Sequence, residues 1–144
     1  MGNRAVIILE SMPSVGVYVH WNGGPESVLA FLEATRRRGS RSPAGDATYA
    51  FARLVQTIAD YFERGDGEGR GLLSVGAGPV ELLDTDNGDN GTYVIGDDWE
   101  ISRREHARSH AKGVPKGEEA KHQGIIEHLM RIDAAREAAA KIEG

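Results

Sequence analysis

The sequence of 144 residues contains no cysteine. This absence excludes disulfide bonds, thiol catalysis and cysteine-ligated zinc sites, and it is compatible with a reducing cytoplasm. The chain also lacks an apolar run of about 18 residues and a leader in which charged residues precede an apolar segment. The sequence therefore indicates neither a membrane span nor export, and we expect a cytoplasmic protein without a membrane partner.

An excess of basic residues is lacking as well. The 22 acidic residues outnumber the 17 lysines and arginines, which gives a net charge of −5. Broad nucleic-acid binding is therefore not expected, although a local basic patch stays open. The acidic excess lies within residues 1–103, whereas the rest of the chain is nearly balanced and rich in histidine. This change predicts a core domain over 1–104, a linker over 105–117 and a helical C-terminal extension over 118–144.

Hydrophobic patterning predicts an α+β fold. Two hairpin-forming regions are separated by two amphipathic helices, an order typical of a mostly antiparallel sheet with two packed helices. Strands are expected near residues 4–9, 16–21, 72–75, 92–95 and 99–103, and helices near 25–38 and 46–63. Residues 10–14 and 76–79 are predicted to be turns. The expected core residues are Val6, Ile8, Val17, Val19, Leu32, Phe51, Leu54, Ile58, Val75 and Val94.

Residues 16–38 form the organising unit of the predicted fold. A strand is followed by Asn22-Gly23-Gly24, which is typical of a turn, and Pro25 suits the first position of a helix. The backbone N–H groups at such a helix start can bind an anion. The same arrangement is an ordinary way for a chain to change direction, and this second interpretation is favoured.

The C-terminal extension is predicted to be a helix with one narrow apolar stripe. That stripe must dock on the core domain or on another chain. Short strands also leave sheet edges that need protection, so we expect a homo-oligomer. The stripe consists of Ile125, Ile126, Leu129, Ile132 and Ala139.

Three patterns approach chemical motifs without matching them. The acidic segment 84–90 departs from the calcium-loop pattern at its glycine and glutamate positions, which favours a hydrogen-bonded turn. His106 and His110 have the spacing of helical zinc ligands but lack the accompanying glutamate, which favours solvated side chains. His20 has no partner at a catalytic spacing, so a structural hydrogen bond is expected. We expect no metal site and no catalytic residue.

A fourth pattern is a set of arginines, Arg53, Arg103, Arg104 and Arg108. Each guanidinium group can bind two phosphate oxygens at once, in bidentate geometry, so such a set can hold a nucleotide diphosphate. The alternative is a solvated face with ion pairs to the many carboxylates. Spacing alone favours that alternative.

Four segments between residues 3 and 104 resemble a family of small proteins of phages, prophages and bacteria. They are Val-Tyr-Val-His-Trp-Asn-Gly-Gly (17–24), Phe-Ala-Arg-Leu-Val-Gln-Thr-Ile (51–58), Leu-Ser-Val-Gly (73–76) and Asp-Asn-Gly-Asp-Asn-Gly-Thr-Tyr-Val-Ile (86–95). The chain resembles the first family of Thoeris anti-defence proteins. The resemblance implies an oligomeric sponge in the host bacterial cytoplasm. Such a sponge sequesters cyclic ADP-ribose-type signals of TIR enzymes without degrading them, so the immune effector is never activated.

The resemblance also implies a ligand site. Ligand contacts in that family come from arginines, an asparagine and an aromatic residue. The aromatic position falls near residues 76–78, where this sequence has no aromatic side chain, so another ring must replace it. The ligand-binding residues implied are Arg53, Asn87, Arg104 and Arg108, with Tyr93 or Trp99 as the replacement ring.

Two other classes of function stay open. A protein–protein inhibitor of a bacterial defence complex, of the anti-CRISPR kind, needs only an acidic or apolar surface, and the acidic core domain suits a basic partner. An enzyme needs an activated side chain, and none stands out in the sequence. We therefore expect a non-catalytic protein without a cofactor, whose ligand is a cyclic nucleotide.

Overall fold

The computed structural model describes residues 2–65 and 74–143, and this part of the chain is α+β as predicted. A five-stranded sheet, antiparallel in all pairs but one, carries three α-helices. The elements are β1 (Ala5–Leu9), β2 (Met12–Val19), α1 (Pro25–Arg37), α2 (Ala47–Gly65), β3 (Val75–Pro79), β4 (Thr92–Ile95), β5 (Ile101–Glu105) and α3 (Glu119–Glu143). A short 3₁₀ helix, Val80–Leu82, follows β3.

Strand β1 lies at the centre of the sheet, whose order is β3-β2-β1-β4-β5. All five of its residues are buried, because its alternate side chains enter two different apolar clusters. Ala5, Ile7 and Leu9 face the helices, whereas Val6 and Ile8 contact a smaller cluster on the other face. Because β1 is covered on both faces, its sequence is a continuous apolar run. Strand β1 is also parallel to its neighbour β4.

The chain departs from the predicted strand limits in β2, β3 and β5. Strand β5 was expected at 99–103 but begins at Ile101, because Trp99 belongs to the turn after β4. Met12 pairs with Leu9, so the first turn contains only Glu10 and Ser11 and β2 begins well before residue 16. The predicted turn at residues 76–79 is wrong, because Val75–Pro79 is an edge strand that pairs with β2. The ladder to β2 outweighs the weak strand preference of the two glycines there. Residues 72 and 73 of the strand predicted at 72–75 lie outside the described residues.

Helices α1 and α2 cover the same face of the sheet and bury the predicted apolar positions. Ile58 is fully buried, and Phe51 is partly buried against the same core. Val75 is also only partly buried, whereas the other predicted core residues are buried. Helix α1 begins at Pro25 as expected and ends before Gly39, whose φ of 85° suits a glycine that terminates a helix.

The glycine corner before α1 brings two backbone segments into contact. A Cβ atom on Gly23 would lie 2.5 Å from the backbone oxygen of Asn3, so only glycine fits there. The carboxylate of Glu26 lies against Gly24 at the start of α1, and Lys121 of α3 lies 3.4 Å from it. The helix N-terminus therefore carries the chain's own anion, which agrees with the ordinary interpretation of this corner.

Helix α3 docks on the same chain, chiefly against α1. Ile125, Ile126 and Leu129 are buried in the main core, and Ile132 is partly buried against it. From residue 134 to residue 142 the helix is exposed, and this part includes Ala139 of the predicted stripe. The sequence left open whether the stripe docks on the core domain or on another chain, and in the structure it docks on the core of the same chain. The domain limits at 104 and 117 stay predictions.

Leu129→Ala should destabilise the protein, because it removes a fully buried side chain of α3 from the core. The expected loss in the free energy of unfolding is about 2–5 kcal/mol, measured by urea denaturation. Ile142→Ala on the same helix is the matched control, since Ile142 is 87% exposed. Equal stability of the two variants would contradict the docking of α3 on the core.

Candidate functional site

The side chain of Asn87 makes four hydrogen bonds within the acidic turn, which use all of its donors and acceptors. Its amide nitrogen donates to the carbonyls of Asp84 and Gly91, each at 3.0 Å. Its amide oxygen accepts from the backbone N–H groups of Asp89 at 3.1 Å and Gly91 at 3.0 Å. The acidic segment is thus the hydrogen-bonded turn that was expected. A ligand contact through Asn87 would require breaking bonds within this turn.

Arg104 is buried on the ring of Tyr93. Its guanidinium carbon lies 3.9 Å from the ring centroid, and the guanidinium donates to the carbonyls of Ala111 at 2.8 Å and Asn90 at 3.0 Å. The Tyr93 hydroxyl donates to the Gly23 carbonyl at 2.7 Å. Burial lowers the pKa of Arg104 and raises the pKa of Tyr93. Both side chains therefore act inside the fold, and the Tyr93 ring is already covered by a cation.

The other two residues of this region differ in exposure. Trp99 is only 7% exposed and belongs to the main core, with a φ of 65° in the turn between β4 and β5. Arg108 is exposed. Hydrogen bonds from Arg4 chiefly lower the pKa of Asp89, and the charge of Arg108 adds a smaller effect in the same direction. Of these two, only Arg108 is accessible to a ligand.

Arg53 lies away from the other predicted ligand residues. It is on α2, which packs near β2 and β3, whereas Arg104 is on β5. Three strand spacings separate β2 from β5, or roughly 14 Å. Within residues 2–65 and 74–143, no hydrogen bond or ion pair joins Arg53 to Asn87, Arg104 or Arg108. Within a single copy of the chain, the described residues do not bring the predicted set into one site.

Arg53 instead lines a cleft of about 330 Å³ that we call the arginine cleft. The cleft lies between α2, the loop after α1 and the outer part of α3. Tyr49 is one helical turn before Arg53, so the two side chains share the outer face of α2. The residues that line the arginine cleft are Arg38, Gly39, Ser40, Arg41, Tyr49, Arg53, Gln56, Thr57, Asp133 and Arg136.

The floor of the arginine cleft is an ionic cluster around Asp60. Its carboxylate accepts two hydrogen bonds from Arg136, at 2.9 and 3.0 Å, and one from Arg38 at 2.9 Å. Burial opposes ionisation of this carboxylate, but the two guanidinium groups together hold the pKa of Asp60 below its ordinary value. Asp60 is buried on α2, where its partners come from the end of α1 and from α3.

The mouth of the arginine cleft carries the more accessible cations. Arg41 lies over the Tyr49 ring at 4.3 Å from its centroid and donates to Asp46 at 2.7 Å. Arg53 donates to Gln56 at 2.6 Å, and no carboxylate contacts it among the residues that the structure describes. Tyr49 is 52% exposed. Unused N–H donors therefore flank an accessible ring, an arrangement that can bind a phosphate beside a base.

The histidines do not form a site of their own. His20 hydrogen-bonds the Tyr18 hydroxyl at 3.0 Å through Nδ1, which agrees with a structural role. His106 and His110 are exposed. Across residues 2–65 and 74–143, no group of three potential metal-binding side chains comes together, and no helix combines the length and apolarity that a membrane span requires.

The sequence reasoning missed most of the arginine cleft. Tyr49 could have been found from its spacing to Arg53, because the two share a helical face. Arg41 could have been found from its loop position beside the start of α2. No local signal linked Arg38 or Arg136 to that face, because they reach it only through the packing of α1 and α3.

Comparisons of the chain with protein-family models, with curated proteins and with solved structures returned no match. The resemblance to the Thoeris anti-defence family therefore stays a hypothesis, and function must be inferred from the arginine cleft.

Arg104→Ala should lower stability rather than act only on ligand binding, because the two carbonyls that Arg104 contacts would lose a charged donor. We expect a loss of about 2 kcal/mol, or a fall in melting temperature of roughly 5–10 °C by calorimetry. Arg108→Ala is the control, since Arg108 is exposed and its removal should leave the melting temperature nearly unchanged. An unchanged melting temperature for Arg104→Ala would refute its structural role.

Asp60→Asn should reduce stability by roughly 3 kcal/mol at neutral pH, because it leaves two guanidinium groups facing a neutral amide. The pKa of Asp60 is lowered on folding, so its contribution is present above the ordinary aspartate pKa and is lost as the pH falls below about 4. Urea denaturation from pH 7 to pH 2.5 should therefore show the gap between parent and variant shrinking. A constant gap would contradict the ionic role of Asp60.

Proposed function

We propose that this chain is a non-catalytic binding protein that sequesters a cyclic ADP-ribose-type nucleotide in the arginine cleft. One observation carries the proposal, namely that four arginines and an exposed tyrosine line a single cleft of about 330 Å³. The family resemblance supplies the ligand class. In this proposal Arg53 keeps its expected role, while Arg104 and Asn87 serve the fold.

The chemistry of the cleft suits a phosphorylated nucleotide. Arg41 and Arg53 each use few of their N–H donors within the chain, so both can bind phosphate oxygens in pairs. Arg41 lies over the Tyr49 ring, but Tyr49 is 52% exposed, unlike the fully buried Tyr93, so its ring is still accessible for stacking on a base. The volume lies at the lower end of the range for small-molecule sites, about 300–1,000 Å³.

Binding without turnover is sufficient for the biological effect. A nucleotide held in the cleft is withheld from the effector that it would activate, so the signal is lost while the molecule stays intact. The expected homo-oligomer stays a prediction, and it would multiply the number of sites per particle. A protein–protein inhibitor is the alternative if the parent protein retains no nucleotide.

Arg53→Ala should weaken the binding of cyclic ADP-ribose isomers, because it removes the arginine that is least engaged within the chain. Loss of one charged contact costs roughly 1.5–3 kcal/mol, or about 10- to 150-fold in affinity by isothermal calorimetry. Arg41→Ala should act in the same direction. Tyr49→Ala should remove the stacking contribution without a change of charge.

Arg103→Ala is the matched control for these variants. Arg103 is an exposed arginine of β5 that pairs with Glu10 and Glu105, on a strand that is remote from the cleft. Its loss should leave the affinity for the nucleotide within twofold of the parent. The fold should also be little affected, because surface ion pairs contribute little to stability. Heat release followed by mass analysis should recover the nucleotide unchanged. An altered nucleotide would indicate an enzyme, and no binding by the parent would refute the proposal.

A further inference from the structure

Asp133 of α3 places a carboxylate inside the arginine cleft. Its two oxygens accept hydrogen bonds from Arg38, from Nε at 3.0 Å and from one Nη at 2.9 Å. This is the bidentate geometry in which a guanidinium also binds a phosphate. Asp133 therefore occupies, within the chain, the position that an incoming anion would take on Arg38.

Arg38 has little capacity left for a ligand while Asp133 is bound. Its other Nη donates to Thr57 at 3.2 Å and to Asp60 at 2.9 Å. Four of its five N–H groups are thus satisfied inside the chain. A phosphate can bind Arg38 in a paired geometry only where Asp133 gives way.

Asp133 is the more replaceable of the two acids that contact Arg38. The side chain of Asp60 is 9% exposed and binds Arg136 as well as the largely buried Arg38, so its departure would leave both guanidinium groups without their shared carboxylate. The side chain of Asp133 is 36% exposed, and among the described residues it accepts hydrogen bonds from Arg38 alone, while its charge also acts on Arg136. Its loss from Arg38 is compensated if a ligand anion takes its place.

We propose that Asp133 is a specificity-determining residue, whose carboxylate occupies the paired donors of Arg38 until a phosphate displaces it. The proposal rests on the proposed function only in that the arginine cleft receives a phosphorylated ligand. A ligand with a single carboxylate would gain little binding free energy by displacing Asp133, because Asp133 carries the same charge and is already held at the site by the chain. A pyrophosphate group gains more, because it can also contact Arg41 and Arg53 at the mouth. Asp133 thereby restricts the cleft to multiply charged phosphates.

The test uses inorganic pyrophosphate as the probe, the full chain as the protein and isothermal calorimetry at low salt. Asp133→Asn removes the competing charge and frees the paired donors of Arg38, so its affinity for pyrophosphate should rise roughly tenfold over the parent. Glu137→Gln is the charge-matched control. It removes one acid from the next turn of α3, where Glu137 is 72% exposed and pairs with Lys141, and it should leave affinity unchanged.

A purely structural role would lower the melting temperature of Asp133→Asn without raising affinity, and that result would overturn the proposal. Equal gains in Asp133→Asn and Glu137→Gln would also overturn it, since only net charge would then matter. Asp133→Ser makes the same test if the asparagine variant does not fold. Failure to bind pyrophosphate by the parent and by both Asp133 variants would overturn the proposal as well. Cyclic nucleotide binding by the parent is measured separately and decides the proposed function alone.

Discussion

The arginine cleft depends on one buried carboxylate. Asp60 projects from α2 and accepts hydrogen bonds from Arg38, at the end of α1, and from Arg136 of α3. A buried carboxylate without such partners would be costly, and so would the largely buried guanidinium of Arg38 without it. The cluster therefore holds the three helices in the register that brings their cationic side chains to one place. The loop after α1 and the outer turns of α3 become walls of a site for the same reason.

The arginines of this chain have different roles because their surroundings differ. Arg104 is buried on an aromatic ring and contacts backbone carbonyls, so its donors serve the fold. Arg38 is engaged by two acids and stabilises the helix packing. Arg53 stays at the surface with a neutral partner. Residue type alone would assign all three to a ligand, whereas burial and hydrogen-bond partners leave Arg53 as the available one.

Both faces of the sheet are covered by apolar clusters, so the proposed binding cleft lies elsewhere. All three helices contribute to the cluster on one face, and the segment after β3 closes a smaller cluster around Val6, Ile8 and Val94 on the other. Because β1 is covered on both sides, the sheet itself presents little accessible surface near its centre. The accessible cleft therefore forms outside the helical layer, where charged side chains can remain hydrated.

The sequence by itself determined the α+β class, the places of the main helices and most of the core. Those features follow from local periodicity, as with Phe51 and Ile58 on the inner face of α2 and Tyr49 and Arg53 on the outer face. Only the tertiary structure decided that Asn87 and Arg104 support the fold and that residues 76–79 form a strand. It also brought Arg38 to Asp133, 95 residues further along the chain. Such a contact leaves no periodic pattern, because it depends on how two helices pack and on which acid is close enough to neutralise a buried cation.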